Sequence, residues 1–302
     1  MKVLITGATG LIGNEIVRQC NNKGIGVHVL TTSGKKQNWV EGYKSFFWNP
    51  GKGTIDAGCF DGVDAIINLA GATISKRWTP SYKKKILQSR LQSLQLLRDS
   101  LDKVPHHVGH IISASAIGIY PNSLTNYYEE SSQPLSKTFL GQVATQWEIE
   151  ADAFLEIGLT VTKVRIGLVL SGHGGALPQM AKPIKMGLGA AFGTGEQWQS
   201  WIHITDLANL FLFLAEHRLE GVYNGVAPNP VTNTELTKAI AATLHMPLWL
   251  PKVPRLALRL ALGEMHALLV ESQRVSSKVV EDVGFTFKYH HLQLALEDLL
   301  TK

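Results

Sequence analysis

Three glycines, Gly7, Gly10 and Gly13, follow the apolar run Val3-Leu4-Ile5 at intervals of three. This spacing brings backbone close to an anionic ligand. Gly7 lets the chain turn sharply after a strand, and Gly10 leaves no Cβ between backbone and ligand. Gly13 lets a following helix pack tightly on the strand. The first helical turn that follows would offer its unpaired N–H groups to a pyrophosphate. The alternative is a strand-turn-helix that binds nothing. Helical spacing of Ile12, Ile16, Val17 and Cys20, then a second apolar strand at 27–30, favours the ligand site. The expected ligand is a nicotinamide dinucleotide.

The end of that second strand bears on which one. It reads Leu30-Thr31-Thr32-Ser33-Gly34-Lys35-Lys36, and no carboxylate occurs between Glu15 and Glu41. An acid there would bind ribose hydroxyls and repel a 2′-phosphate, whereas hydroxyls and ammonium groups suit the phosphate. NADP(H) is therefore favoured over NAD(H), which stays possible. Ser115, Tyr120 and His203 carry groups able to transfer a proton. Nothing in the sequence pairs His203 with a base, so a structural role is expected for it. His106-His107-x-x-His110 lacks a carboxylate or cysteine partner, and no metal is expected. Trp198 and Trp201 read as packing between lobes, and Glu129-Glu130 as a solvated loop.

Alternating strands and helices must position these groups. The pattern predicts strands over 2–6, 27–30, 45–48, 65–69, 110–114 and 161–166, and helices over 11–22, 80–102 and 141–157. Strands separated by such helices imply an α/β fold with a doubly wound parallel sheet. Residues 1–230 would form a Rossmann domain, with 172–200 contributing a loop and short helix to a substrate cleft. Residues 231–302 would form a small, mostly helical C-terminal lobe over the nicotinamide end.

The composition is that of a globular protein: 302 residues, 45% hydrophobic, 18% charged, net charge +5. The run Lys83-Lys84-Lys85 lies on a predicted helix without interleaved aromatics, so nucleic acid is not expected. No apolar run spans a membrane, and no secretory leader is read at the start. Cys20 and Cys59 are too few for a disulfide framework and should act as small apolar residues. A reducing cytoplasmic setting is expected. Substrate and oligomeric state stay open.

Further segments carry a resemblance. Asn68-Leu69-Ala70-Gly71, Ser113 to Tyr120, Arg165 to Leu170 and Trp201 to Asp206 recur with the glycine turn. Together they resemble the extended short-chain dehydrogenase/reductase superfamily, of epimerase/dehydratase type. Arg77-Trp78 leading to Ser89-Arg90-Leu91, and Gly263-Glu264-Met265 through Gln273-Arg274-Val275 to Phe287, are similar to its atypical branch of epimerase family proteins. The resemblance implies that Gly7, Thr9, Gly10, Leu11 and Ile12 surround the pyrophosphate. It implies Thr31 and Thr32 by the adenosine ribose, although relatives often carry arginine at the second place. Leu69, Ala70 and Gly71 would pass under the cofactor, and Leu168 and Val169 would touch its nicotinamide end. Arg90 would face the phosphates or the substrate, or else form a surface salt bridge.

Working members of the superfamily use Tyr-x-x-x-Lys, the lysine lowering the tyrosine pKa. None of the seven tyrosines has a lysine four residues on. Aligned on Glu148, the pair falls at Leu140 and Ala144. Two explanations follow. Either Tyr120, assisted by Ser115, has taken over proton transfer in an oxidoreductase or epimerase-like enzyme, or the protein is a non-catalytic dinucleotide sensor.

Overall fold

The computed structural model describes residues 1–33 and 43–301. The chain opens β1 (Lys2–Thr6), α1 (Leu11–Asn22), β2 (Gly26–Thr31), β3 (Tyr43–Asn49), β4 (Thr54–Ile55) and β5 (Ala65–Asn68). Then come α2 (Pro80–Leu101), β6 (His110–Ala116), β7 (Tyr127–Tyr128), α3 (Phe139–Asp152), β8 (Thr160–Ile166) and β9 (Leu168–Leu170). Eight strands form one sheet in the order β12-β8-β6-β5-β1-β2-β3-β4, with β12 spanning Gly221–Gly225. All its pairings are parallel except β3 with β4. The doubly wound α/β expectation holds.

Near-continuous apolar runs explain why these strands are central. Val3, Leu4 and Ile5 of β1, and Ile66 and Ile67 of β5, are fully buried, because helices cover both faces. Each such side chain contributes roughly 1.5–3 kcal/mol by leaving water. α1 packs beside α5 (Ile204–Glu216), which follows β11 (Trp201–His203). β1 lies between β2 and β5, where the strand order reverses, and Gly7 begins the turn at its carboxyl end. Ligands of open parallel sheets bind at such a switch point.

A second core joins α4 (Ala176–Lys185) to the C-terminal third. Leu177, Ala181 and Ile184 of α4 pack with Leu236 and Ile240 of α6 (Asn233–Thr243) and Leu296 of α10 (Leu292–Leu300). β10 (Trp198–Gln199) pairs with β13 (Val231–Thr232), and β14 (Arg274–Val275) with β7. The remaining helices are α7 (Arg255–Leu262), α8 (Ala267–Val270) and α9 (Lys278–Asp282). The helix expected over 141–157 begins earlier, at Phe139. Thr138 caps it by accepting the Gly141 N–H, and its last turn tightens into a 3₁₀ turn over 153–157. The short strand β9 was not anticipated, since Gly167 hides the break after β8.

Candidate functional site

At the switch point the glycines stand where space is shortest. Gly7 has φ +69°, and a Cβ on it would lie 2.9 Å from the Leu69 carbonyl oxygen. A Cβ on Gly13 would lie 2.5 Å from the Gly7 oxygen, so the helix can approach the turn only with glycine there. Thr6, fully buried, accepts the N–H groups of Leu69 and Ala70 at 3.0 Å each and donates to Asn68 Oδ1 at 2.8 Å. That links the carboxyl ends of β1 and β5 and fixes Leu69-Ala70-Gly71 beside Gly7. Gly10 caps α1 with no side-chain hydrogen bond, and the first turn carries no acid. Its orphan N–H groups are left for an external anion. Thr9 and Gly10 are exposed, Leu11 and Ile12 half-buried. A Cβ on Gly175 would lie 3.1 Å from Leu11 Cδ2 and 3.9 Å from the Val169 oxygen, so Leu168-Val169 come back to the turn. Thr31, at the end of β2, accepts the Ser33 N–H at 3.1 Å, and Thr32 is exposed. Gly34, Lys35 and Lys36 lie outside the described residues.

Arg90 sits beneath Gly71, where a Cβ would come 3.0 Å from the guanidinium carbon. It donates to the carbonyls of Ala72 at 3.2 Å and Ile86 at 2.9 Å and lies 4.8 Å above the Trp147 ring. No ion pair to Arg90 exists among the described residues, so the surface salt bridge is not its role. Burial pulls its pKa down to about 10.

Ser115 and Tyr120 belong to a buried polar network instead of an open cleft. Ser115 donates to Glu148 Oε1 at 2.7 Å. Arg165 grips both oxygens of Glu148, at 2.8 and 2.9 Å, and donates to the Tyr120 hydroxyl at 2.9 Å. Tyr120 donates in turn to Asn224 Oδ1 at 2.7 Å, and its ring stacks on Tyr128. Tyr120 is 0% exposed, and burial pushes its pKa up to about 12 despite the Arg165 charge. A phenol so held has no free path to a substrate, and the expectation that Tyr120 donates a proton there is corrected. Glu130 is a second correction. Its Oε1 accepts the Asn224 N–H at 2.8 Å and its carbonyl accepts from Arg165, so it is no solvated loop residue. Burial raises its pKa.

The structure opens elsewhere. A cavity of about 770 Å3 lies between the Arg77-Trp78 loop, the start of α3 and the segment from α7 into α8. Leu140, the place the resemblance gives to the superfamily's tyrosine, is in its wall, while Ala144 is buried. None of Ser115, Tyr120 or residues 172–200 lines this cavity.

Comparison with known proteins bears on this arrangement. The NAD dependent epimerase/dehydratase family matches residues 3–225. The chain belongs to that family. A domain of unknown function, DUF1731, matches residues 253–299. Epimerase family proteins of Staphylococcus haemolyticus and Staphylococcus aureus (strain MRSA252) are 38% and 37% identical, over 98% and 99% of both chains. Human epimerase family protein SDR39U1 (isoform 2), solved with NADPH, superposes with a TM-score of 0.87 at 30% identity over 100% of both chains. A nucleoside-diphosphate sugar epimerase of Corynebacterium glutamicum gives 0.80 at 29% identity, with 99% of this chain aligned to 58% of that one.

The other sequence candidates are engaged by partners within the fold. His203 caps α5 by accepting the Thr205 N–H at 3.1 Å, stacks on Tyr289, and points Nε2 at Asp298, 3.4 Å away. With Nδ1 accepting, Nε2 carries the hydrogen, and at that separation the contact is a long, weak N–H···O rather than an ion pair. Burial depresses the His203 pKa to about 4. His110 bonds Thr162 at 2.7 Å, and no metal-binding cluster occurs among the described residues. Trp201 is fully buried, donating to the Asn229 carbonyl; Trp198 donates to the Leu124 carbonyl and carries Arg274 on its ring. The sequence reading missed Arg165 as a partner of Glu148. An arginine in the strand Thr160–Ile166, predicted to be central and covered on both faces, was the available signal, since a fully buried guanidinium is almost always paired.

Proposed function

We propose that the protein binds NADP(H) at the Gly7–Gly13 turn and is an oxidoreductase or epimerase-like enzyme acting on a small molecule held near the nicotinamide end. The observation that carries this is the glycine turn at the switch point, next to uncapped α1 and followed by hydroxyls at Thr31 and Thr32 without an acid. The residues fit the cofactor: Gly7, Thr9, Gly10, Leu11, Ile12 and Gly13 would hold the pyrophosphate. Thr31 and Thr32 would hold the adenosine ribose, and Leu69, Ala70 and Gly71 would lie along the cofactor. Leu168 and Val169 would meet the nicotinamide end. Arg90 would offer its guanidinium to a phosphate or to substrate. The bound cofactor supplies hydride transfer. The protein's part is to orient it and to exclude water, since Leu140 and Ala144 cannot exchange protons. NADPH bound to the human relative supports the phosphorylated cofactor. Neither nucleic acid nor membrane is a partner in this reading, and no helix of the described residues is long and apolar enough to cross a membrane. Two free buried cysteines support a reducing cytoplasm.

The second reading, a non-catalytic dinucleotide sensor, is favoured by one observation. The hydroxyls of Ser115 and Tyr120 are both occupied within the fold. Titration of NADPH and NADH by nicotinamide fluorescence tests the cofactor, with NADPH expected to bind at least about tenfold tighter. Reduced cofactor with a carbonyl panel tests turnover. Tight binding with no loss of nicotinamide absorbance would support the sensor, and binding of neither cofactor would refute both readings.

A further inference from the structure

We propose that the cavity between Arg77 and Arg259 takes a small amphipathic anion, an apolar body bearing one carboxylate or phosphate head, rather than a sugar nucleotide. This rests on reading the cavity as the substrate site of the nicotinamide-dependent protein proposed above.

Charge is the first reason. Arg77 comes from the loop after β5 and Arg259 from α7, so the two guanidiniums enter from opposite lobes. Neither has an ion-pair partner among the described residues. Arg77 is held against Gly263, where a Cβ would lie 3.8 Å from its Nε. Two acids reach the wall. Glu264 is paired with Lys83, and Glu271 has the positive charge of Arg255 as its neighbour. The cavity therefore carries positive charge in need of an anion.

The walls are the second reason. Trp78 meets Phe139 edge to face at 5.3 Å, and Leu140 continues that surface. On α7, Leu256 and Leu260 stand one turn apart and are 67% and 75% exposed. A sugar would bring hydroxyls that each require a polar partner. Apart from its arginines and acids the wall offers Thr138, His266 and the Trp78 indole; His266 Nδ1 already bonds the Gly263 carbonyl at 2.8 Å, and the indole donates to the Ile74 carbonyl at 2.9 Å. An apolar body would cover Leu256 and Leu260 without leaving polar groups unmet. A cavity of about 770 Å3 lies within the range of small-molecule sites.

Calorimetry on NADPH-saturated protein tests this with four probes: octanoate, octyl phosphate, octan-1-ol and UDP-glucose. Octanoate or octyl phosphate should bind saturably, and the tighter of the two identifies the head. Octan-1-ol should bind at least about tenfold more weakly, because a charge-assisted hydrogen bond is lost. Both arginines are exposed, so Arg77→Gln and Arg259→Gln should leave Tm unchanged. Each should weaken the anion about tenfold or more and leave octan-1-ol binding unaltered. Three results would overturn the inference: equal binding of octan-1-ol and the anions, no anion binding at millimolar concentration, or UDP-glucose binding that depends on the two arginines. Should NADPH itself fail to bind, the cofactor reading falls. The same four titrations on the free protein would still decide the cavity.

Discussion

Replacing Glu148 by alanine would strand the Arg165 guanidinium inside the protein. The Arg165 side chain is 7% exposed and that of Glu148 9%, and their two hydrogen bonds are 2.8 and 2.9 Å long. Burial alone would lower the Arg165 pKa, yet the facing carboxylate holds it above the ordinary value. Removing one partner of a buried pair costs about 3–5 kcal/mol, since the other charge stays desolvated without compensation. For a chain of this length that corresponds to a fall in Tm of about 5–8 °C. Removing both charges should behave differently. In Glu148→Leu with Arg165→Met, the desolvation penalty disappears with the pair. The double variant should recover most of the loss, leaving a coupling energy of about 2 kcal/mol or more. Losses at Ser115, Tyr120 and the Glu130 carbonyl, which also bond the pair, would make recovery incomplete. Thermal and urea unfolding of wild type, Glu148→Leu, Arg165→Met and the double would measure the cycle. A Glu148→Ala variant within about 1 kcal/mol of wild type, or a double variant as damaged as the singles summed, would refute the claim that this network is desolvated.

Gly13→Ala should abolish or cripple dinucleotide binding and destabilise the fold, because its Cβ would sit 2.5 Å from backbone at Gly7; unchanged NADPH fluorescence titration would contradict this. His110 and His203 both have pKa values lowered by burial to about 4, from about 6.5 in the unfolded chain. Their neutral forms are favoured in the fold, so stability is fully present above pH ~6.5 and is lost as pH falls toward ~4. The slope should approach about 1.4 kcal/mol per pH unit for each histidine. His203→Gln should flatten that acid limb in a Tm-against-pH series, and an unchanged limb would count against the assignment. Cys20 and Cys59, raised to about 12 by burial, should resist thiol reagents until the protein unfolds, which a labelling time course in rising urea would show. Tyr120→Phe should lower Tm by leaving Arg165 and Asn224 short of a partner, yet leave NADPH affinity within about twofold of wild type.

Most of the fold was legible along the chain. Runs such as Val3-Leu4-Ile5 and Ala65-Ile66-Ile67 state their burial on both faces, and the glycine spacing states where backbone must come close. Those are local signals, carried by neighbours in sequence. The tie between Thr6 and Leu69-Ala70 was not, because it joins residues about sixty apart through one hydroxyl.

The candidate site divides the same way. The sequence by itself determined the parallel sheet, the glycine turn, the missing acid after β2 and the absence of a Tyr-x-x-x-Lys pair. Each follows from residue type and spacing alone. Tertiary structure decided that Tyr120 and Ser115 face inward onto Glu148 and Arg165, and that the open cavity lies between Arg77 and Arg259. Whether a hydroxyl meets water or a buried guanidinium depends on what packs against it. Here the partners come from α3, β8 and β12, and no local pattern encodes their approach.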